Sequence, residues 1–97
     1  MAAMSDTIKE FIEYCIKSSV DNPDDVRVSV SISTKAIIAQ IKVAQADCGK
    51  VIGKRGRTID ALKVMCSNVK NTKFPDDSRR VMLEVIEDED TDFSYNK

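Results

Sequence analysis

Two runs of strict apolar alternation constrain this chain more than any other feature. Val26, Val28, Val30 and Ile32 alternate with Arg27, Ser29, Ser31 and Ser33, and Ile37, Ala39, Ile41 and Val43 follow with Gln40 and Lys42 outward. A period of two sends one side of each strand into a core and the other toward solvent. Ser33-Thr34-Lys35 between them is short enough for a hairpin, although it lacks the Asn-Gly signal that would fix the turn class. Much later in the chain, Val81, Leu83 and Val85 alternate with Met82, Glu84 and Ile86 and predict a third strand. Met82 and Ile86 imply partial cover on its second face as well.

The segments around these strands carry helical spacing. Ile8, Phe11, Ile12, Cys15 and Ile16 predict an amphipathic helix over residues 6–20. Thr7 and Glu10 suit a capping box, with Ser5 or Asp6 as the rival cap. Asp21-Asn22-Pro23-Asp24 stops the helix, because a proline disfavours a helical residue before it. Asp47 is placed to cap a short helix over residues 48–53, which Gly53 and Gly56 break. A longer helix runs from about Arg57 to Lys70, with Ile59, Leu62, Cys66 and Val69 on one face and Met65 beside them. Residues 71–78, with Pro75, form a loop. The resulting order, α-β-β-α-α-β, predicts an α+β fold: a three-stranded sheet with helices packed on one face. One domain over residues 6–87 is expected, with an extension at 1–5. Residues 88–97 are acidic and poor in apolar side chains, which predicts a frayed or disordered tail.

The net charge of −1 hides a strong asymmetry. Residues 50–73 hold seven basic side chains against Asp60 alone, while residues 84–97 hold six carboxylates against Lys97 alone. A basic centre of this kind points to a polyanionic partner. Histidine is absent, which removes the commonest general base and metal ligand. Three widely spaced cysteines, Cys15, Cys48 and Cys66, suit neither a disulfide framework nor a zinc site, and predict reduced thiols in a cytoplasmic protein. No segment approaches the ~20 apolar residues of a membrane span, and the first residues lack a secretory pattern. With no base, nucleophile or metal cluster in view, neither an enzyme nor a cofactor is expected.

The stretch Gly49-Lys50-Val51-Ile52-Gly53-Lys54-Arg55-Gly56-Arg57 carries the chemistry. Glycines at 53 and 56 let the backbone turn sharply and leave room for close approach. The second helix opens just after Gly56, so its N–H groups and positive dipole end favour an anion there. Lys50, Lys54, Arg55 and Arg57 add formal charge, and Val51, Ile52 and Ile59 are candidates for an apolar floor under a base. The stretch argues against a phosphate-binding nucleotidase loop: Cys48 stands where that motif needs glycine, and Arg55 replaces its hydroxyl.

Val51-Ile52-Gly53-Lys54-Arg55-Gly56 resembles the V-I-G-x-x-G signature of KH domains, and the element order is similar to their type II arrangement. Asp21-Asn22-Pro23-Asp24, Val43-Ala44 and Asp47-Cys48-Gly49-Lys50 are similar to the small bacterial single-KH proteins of the KhpA family. The resemblance covers about residues 6–87. It departs at Gln45-Ala46, where Pro-Glu is common, at the more basic Lys54-Arg55, and in the acidic tail. It implies a clamp on about four nucleotides of single-stranded RNA, and a chaperone or post-transcriptional regulatory role. It also implies pairing with a second copy or with a larger Jag-type KH protein. Two other readings stay open at this stage. One is a protein interaction module with RNA contact secondary. The other is a helix-turn-helix DNA reader, which would prefer duplex.

Overall fold

A computed structural model describes residues 3–86 and 92–93. The elements follow the expected order: α1 (Met4–Lys17), β1 (Arg27–Ile32), β2 (Ala36–Lys42), α2 (Cys48–Ile52), α3 (Arg57–Lys73) and β3 (Arg80–Ile86). β1 pairs antiparallel with β2, from Arg27 opposite Lys42 to Ile32 opposite Ile37. β2 pairs parallel with β3, from Ala36 opposite Arg80 to Lys42 opposite Ile86. α2 and α3 therefore form the crossover that a parallel pair requires. The helices share one face of the sheet with Val28, Ile37, Ala39, Ile41, Val81, Leu83 and Val85, all buried. On the opposite face Gln40 and Glu84 meet through a hydrogen bond of 3.2 Å. Met82 is exposed there, and Ile86 only half-buried.

A fourth, two-residue strand lies inside the segment expected to be a tail. This β4 (Asp92–Phe93) pairs antiparallel with β3, Phe93 opposite Val85 and Asp92 opposite Ile86, and widens the sheet to the order β1-β2-β3-β4. The remainder of the tail lies outside the described residues.

Both ends of α1 differ from the sequence expectation. The helix begins at Met4 with Ala3 as an extended N-cap that makes no side-chain cap. Starting earlier lets Met4 pack against the core beside the buried Ile8, Ile12 and Ile16, and it carries Thr7 past the capping position. The helix closes at Lys17, where the Ser19 hydroxyl donates to the Cys15 carbonyl at 2.8 Å. Local side-chain competition thus ends it before the proline can.

α3 runs about one turn past Lys70, the end its apolar spacing suggests, to Lys73, and Lys70 is 5% exposed and faces inward. Its Nζ donates to the carbonyls of Asp77 at 2.6 Å and Arg79 at 2.8 Å. It follows Ile59, Leu62 and Cys66 on the same face, while Val69 is only half-buried and Met65 is exposed. Lys70 therefore ties the 74–79 loop to the helix and is no part of a solvated basic face. Lys70→Met is expected to leave those two carbonyls without their donor and to destabilise the fold by roughly 1–3 kcal/mol, read as a shift in the urea midpoint.

The cysteines are free thiols. Burial, with Cys15 nearby, pushes Cys66 up to about 12, which leaves it unreactive at neutral pH. Among the described residues no helix is long and apolar enough to cross a membrane.

Candidate nucleic-acid interface

Two left-handed glycines and one left-handed arginine make the corner between α2 and α3. Gly53 has φ 77°, Arg55 φ 57° and Gly56 φ 74°. Gly53 is required sterically as well as conformationally. A Cβ built there would lie 2.1 Å from Thr58 Oγ1, 2.6 Å from Thr58 Cβ and 2.8 Å from the Thr58 backbone nitrogen. α3 thus starts hard against the turn, and only a residue without a side chain lets the chain enter it.

The tip of the corner is open. Lys54, Arg55 and Arg57 are exposed, Gly53 is half-buried and Gly56 is buried. Lys54–Gly56 form a single 3-10 turn, in which the Gly56 N–H donates to the Gly53 carbonyl at 3.2 Å and the Arg57 N–H donates to the Lys54 carbonyl. Two of the amides expected to face an anion are therefore engaged inside the turn. The side-chain cations carry more of the site's positive character than the sequence suggested.

The expected apolar floor is mostly closed. Val51 is fully buried, Ile59 is 2% exposed and Ile52 lies at the edge of the core at 9%. Val51 and Ile59 support the corner from beneath, and only Ile52 approaches its rim. Lys50 is exposed, but its Nζ meets Asp21 Oδ2 at 2.6 Å, and that hydrogen bond makes the ammonium more basic than a free lysine.

Asp47 has a different role from the helix cap its position suggested. It stands at the N-cap of α2 but makes no side-chain cap. Its fully buried carboxylate accepts from the backbone N–H of Asp21 at 3.2 Å and of Asn22 at 3.0 Å, and from Asn22 Nδ2 at 3.1 Å. The loop after α1 is thereby fixed to the base of α2, which places Asp21 beside Lys50. Burial alone would raise the Asp47 pKa. The Asn22 amide, the two backbone donors and nearby Lys50 outweigh it and hold the carboxyl below the ordinary carboxylate range.

With its folded pKa depressed, Asp47 favours the native state above the unfolded value near ~3.9 and loses that contribution as pH falls through the lower folded value. Asp47→Asn is expected to lower Tm at neutral pH by on the order of 10 °C. It should also flatten the loss of stability as pH falls below about 4, measured by thermal melts across the acid range. Asp77, held low by its hydrogen bonds from Arg79, contributes acid dependence of the same sign.

Apart from the corner, a groove of about 370 Å³ lies between the later turns of α3 and the start of β3, lined by Lys63, Ser67 and Asn71 of α3 and by Arg80 and Met82 of β3. A wider concavity of about 670 Å³, between Thr34 and the Lys73–Arg79 loop, touches none of the corner residues. Arg79 is held by Asp77, with Nη2 to Oδ2 at 2.8 Å and Nε to Oδ1 at 3.1 Å. Sequence reasoning missed Lys63, Ser67 and Arg80 as groove neighbours, because which helix face meets the β3 edge depends on the crossover. Among the described residues no group of His, Cys, Asp or Glu is arranged to hold a metal ion.

The family described as KhpA/KhpB, KH domain, matches residues 9–85. A protein of Chlamydia pneumoniae named RNA-binding protein KhpA is 41% identical over 81 residues, covering 84% of this chain and 99% of its own. A Clostridium acetobutylicum protein of the same name is also 41% identical over 81 residues, covering 81% of this chain and all of its own. One from Borreliella burgdorferi is 37% identical over 81 residues, covering 80% and 90% of the two chains. No solved structure gives a significant match.

Proposed function

This chain belongs to the KhpA/KhpB KH-domain family, a non-enzymatic family, and we propose that it binds single-stranded RNA through the Gly53–Gly56 corner. The observation that carries this reading is the corner itself: a left-handed glycine-bracketed turn with Lys54, Arg55 and Arg57 exposed around it. Similar proteins from three organisms bear names that state RNA binding.

In this mechanism Gly53 allows a phosphate to come close, and Lys54 and Arg55 take up its charge. Arg57 and the amino end of α3 add to the field. The nucleotide chain then runs along α3 toward Lys63 and Arg80, with Ile52 at the corner's rim against a base. Lys50 joins only when it leaves Asp21. One groove makes few phosphate contacts, so affinity is about micromolar and falls with salt. Such a weak grip with little sequence demand suits an RNA chaperone or post-transcriptional regulator.

A partner would raise avidity by joining two grooves. Val64 and Met65, exposed by 58% and 49% on α3, favour pairing with a second copy or a larger Jag-type KH protein. Titration of single-stranded and duplex oligonucleotides of one sequence across a salt series, with light scattering on the same samples, tests both points. Single-strand preference with a negative salt slope is expected. Equal or tighter binding of duplex would favour a helix-turn-helix DNA reader instead.

A further inference from the structure

One cation beside the corner already has a partner. Lys50 is the basic residue of α2, three positions before Gly53, and its Nζ meets Asp21 Oδ2 at 2.6 Å. The two side chains are 49% and 72% exposed, so a phosphate can reach either.

The pair is built by the fold and is no chance meeting of two surface side chains. Asp47 stands three residues before Lys50, so the two share roughly one side of α2. The buried Asp47 carboxylate takes the Asp21 N–H at 3.2 Å, the Asn22 N–H at 3.0 Å and the Asn22 side-chain amide at 3.1 Å. Those bonds fix the backbone at 21–22, and Pro23 restricts it at the next residue. The Asp21 side chain is thereby held against α2. Lys50 also feels the charge of Asp47, but its hydrogen bond to Asp21 is the larger influence.

We propose that Asp21 sets the affinity of the corner by holding Lys50 in reserve, so that an RNA phosphate gains this cation only by displacing a carboxylate. The inference rests on the RNA-binding reading and deepens it, since it names which cation is conditional and on what. An exposed pair of this kind is weak, so it exchanges with a ligand and does not exclude one. The exchange is close to neutral in ions. The phosphate sheds a counterion, while the uncovered Asp21 takes one up. Lys50 therefore adds little salt dependence in the native chain. Removing the Asp21 charge changes this, because a phosphate then meets Lys50 without exchange. Asp21→Asn leaves the anchor in place: the bond to Asp47 comes from the backbone N–H and survives.

The test titrates a short single-stranded RNA into the full chain and into three full-length variants: Asp21→Asn, Asp24→Asn, and Asp21→Asn combined with Lys50→Gln. Asp21→Asn should bind about 3–5-fold more tightly at ~50 mM salt. It should also steepen the slope of log K against log salt by about 0.7, the contribution of one further phosphate contact on a single strand. Asp24→Asn makes the same charge change in the same loop, and Asp24 is not among the carboxylates that act on Lys50. It should stay within about 1.5-fold of the parent. The combined variant should return to within about twofold of the parent. Without RNA, the Lys50 side-chain resonance should titrate at lower pH in Asp21→Asn than in the parent. Equal affinity of Asp21→Asn and the parent would overturn the proposal. An equal gain from Asp24→Asn, which would mark a general charge effect, would overturn it too, as would a gain that persists without Lys50. If no chain binds RNA, the RNA-binding reading fails, and the Lys50 titration decides the pair by itself: an unchanged midpoint overturns it.

Discussion

Reversing both charges at the tip, Lys54→Asp with Arg55→Asp, is expected to weaken binding of a short single-stranded RNA at least about a hundredfold at ~0.1 M salt, with Tm changed by no more than a few degrees. Both side chains are exposed and no core residue leans on them. Arg55 adopts φ 57°, a left-handed conformation that aspartate accepts more readily than most residues, so the reversal does not strain the turn. Each lost cation also removes a counterion-release contribution, so the slope of log K against log salt should shallow by about two. Fluorescence titration supplies the affinity and circular dichroism the fold. Retained binding by a folded variant would move the site away from the corner.

Gly53→Val should damage both fold and binding. The left-handed φ of 77° alone disfavours any β-branched residue, and the new Cβ would sit within 2.1–2.8 Å of Thr58 side-chain and backbone atoms. A loss of about 2–4 kcal/mol is expected, a Tm lower by roughly 10–20 °C, and no measurable RNA affinity. Thr58→Ala cannot rescue it, since the Thr58 Cβ and backbone nitrogen still obstruct. Gly49→Ala, one turn earlier, is the informative contrast. A Cβ there meets nothing within 4 Å, and the change should stabilise α2 by about 0.5–1 kcal/mol. A Gly53→Val chain as stable as the parent in urea would show that the corner is not sterically locked.

The strands, their alternation and the position of the corner were legible because each rests on a local period or on glycine. What escaped depended on partners distant in sequence. Asp47 looks like a cap from its neighbours, and nothing near it reveals that Asp21 and Asn22 will supply its donors. Lys70 carried a readable sign, its place four residues after Cys66 on the buried face, but its charge argued otherwise until the Asp77 and Arg79 carbonyls accounted for it. Val51, Ile52 and Ile59 were read as a floor because apolar residues beside a turn serve cores and ligand grooves alike. β4 had no period to betray it, since two residues amid carboxylates carry none.

The corner proposed to bind RNA lies inside the crossover that joins β2 to β3, strands that are hydrogen-bonded neighbours although Ala36 and its partner Arg80 stand far apart in the chain. Closing that long loop is the slow, entropically opposed event in assembling such a sheet. The proposed grip on a nucleotide chain thus requires the completed topology, and no partly assembled intermediate should possess it. An oligonucleotide at a hundred times its dissociation constant should therefore protect the whole domain by about 2.7 kcal/mol, slowing exchange at β1 as much as at α3.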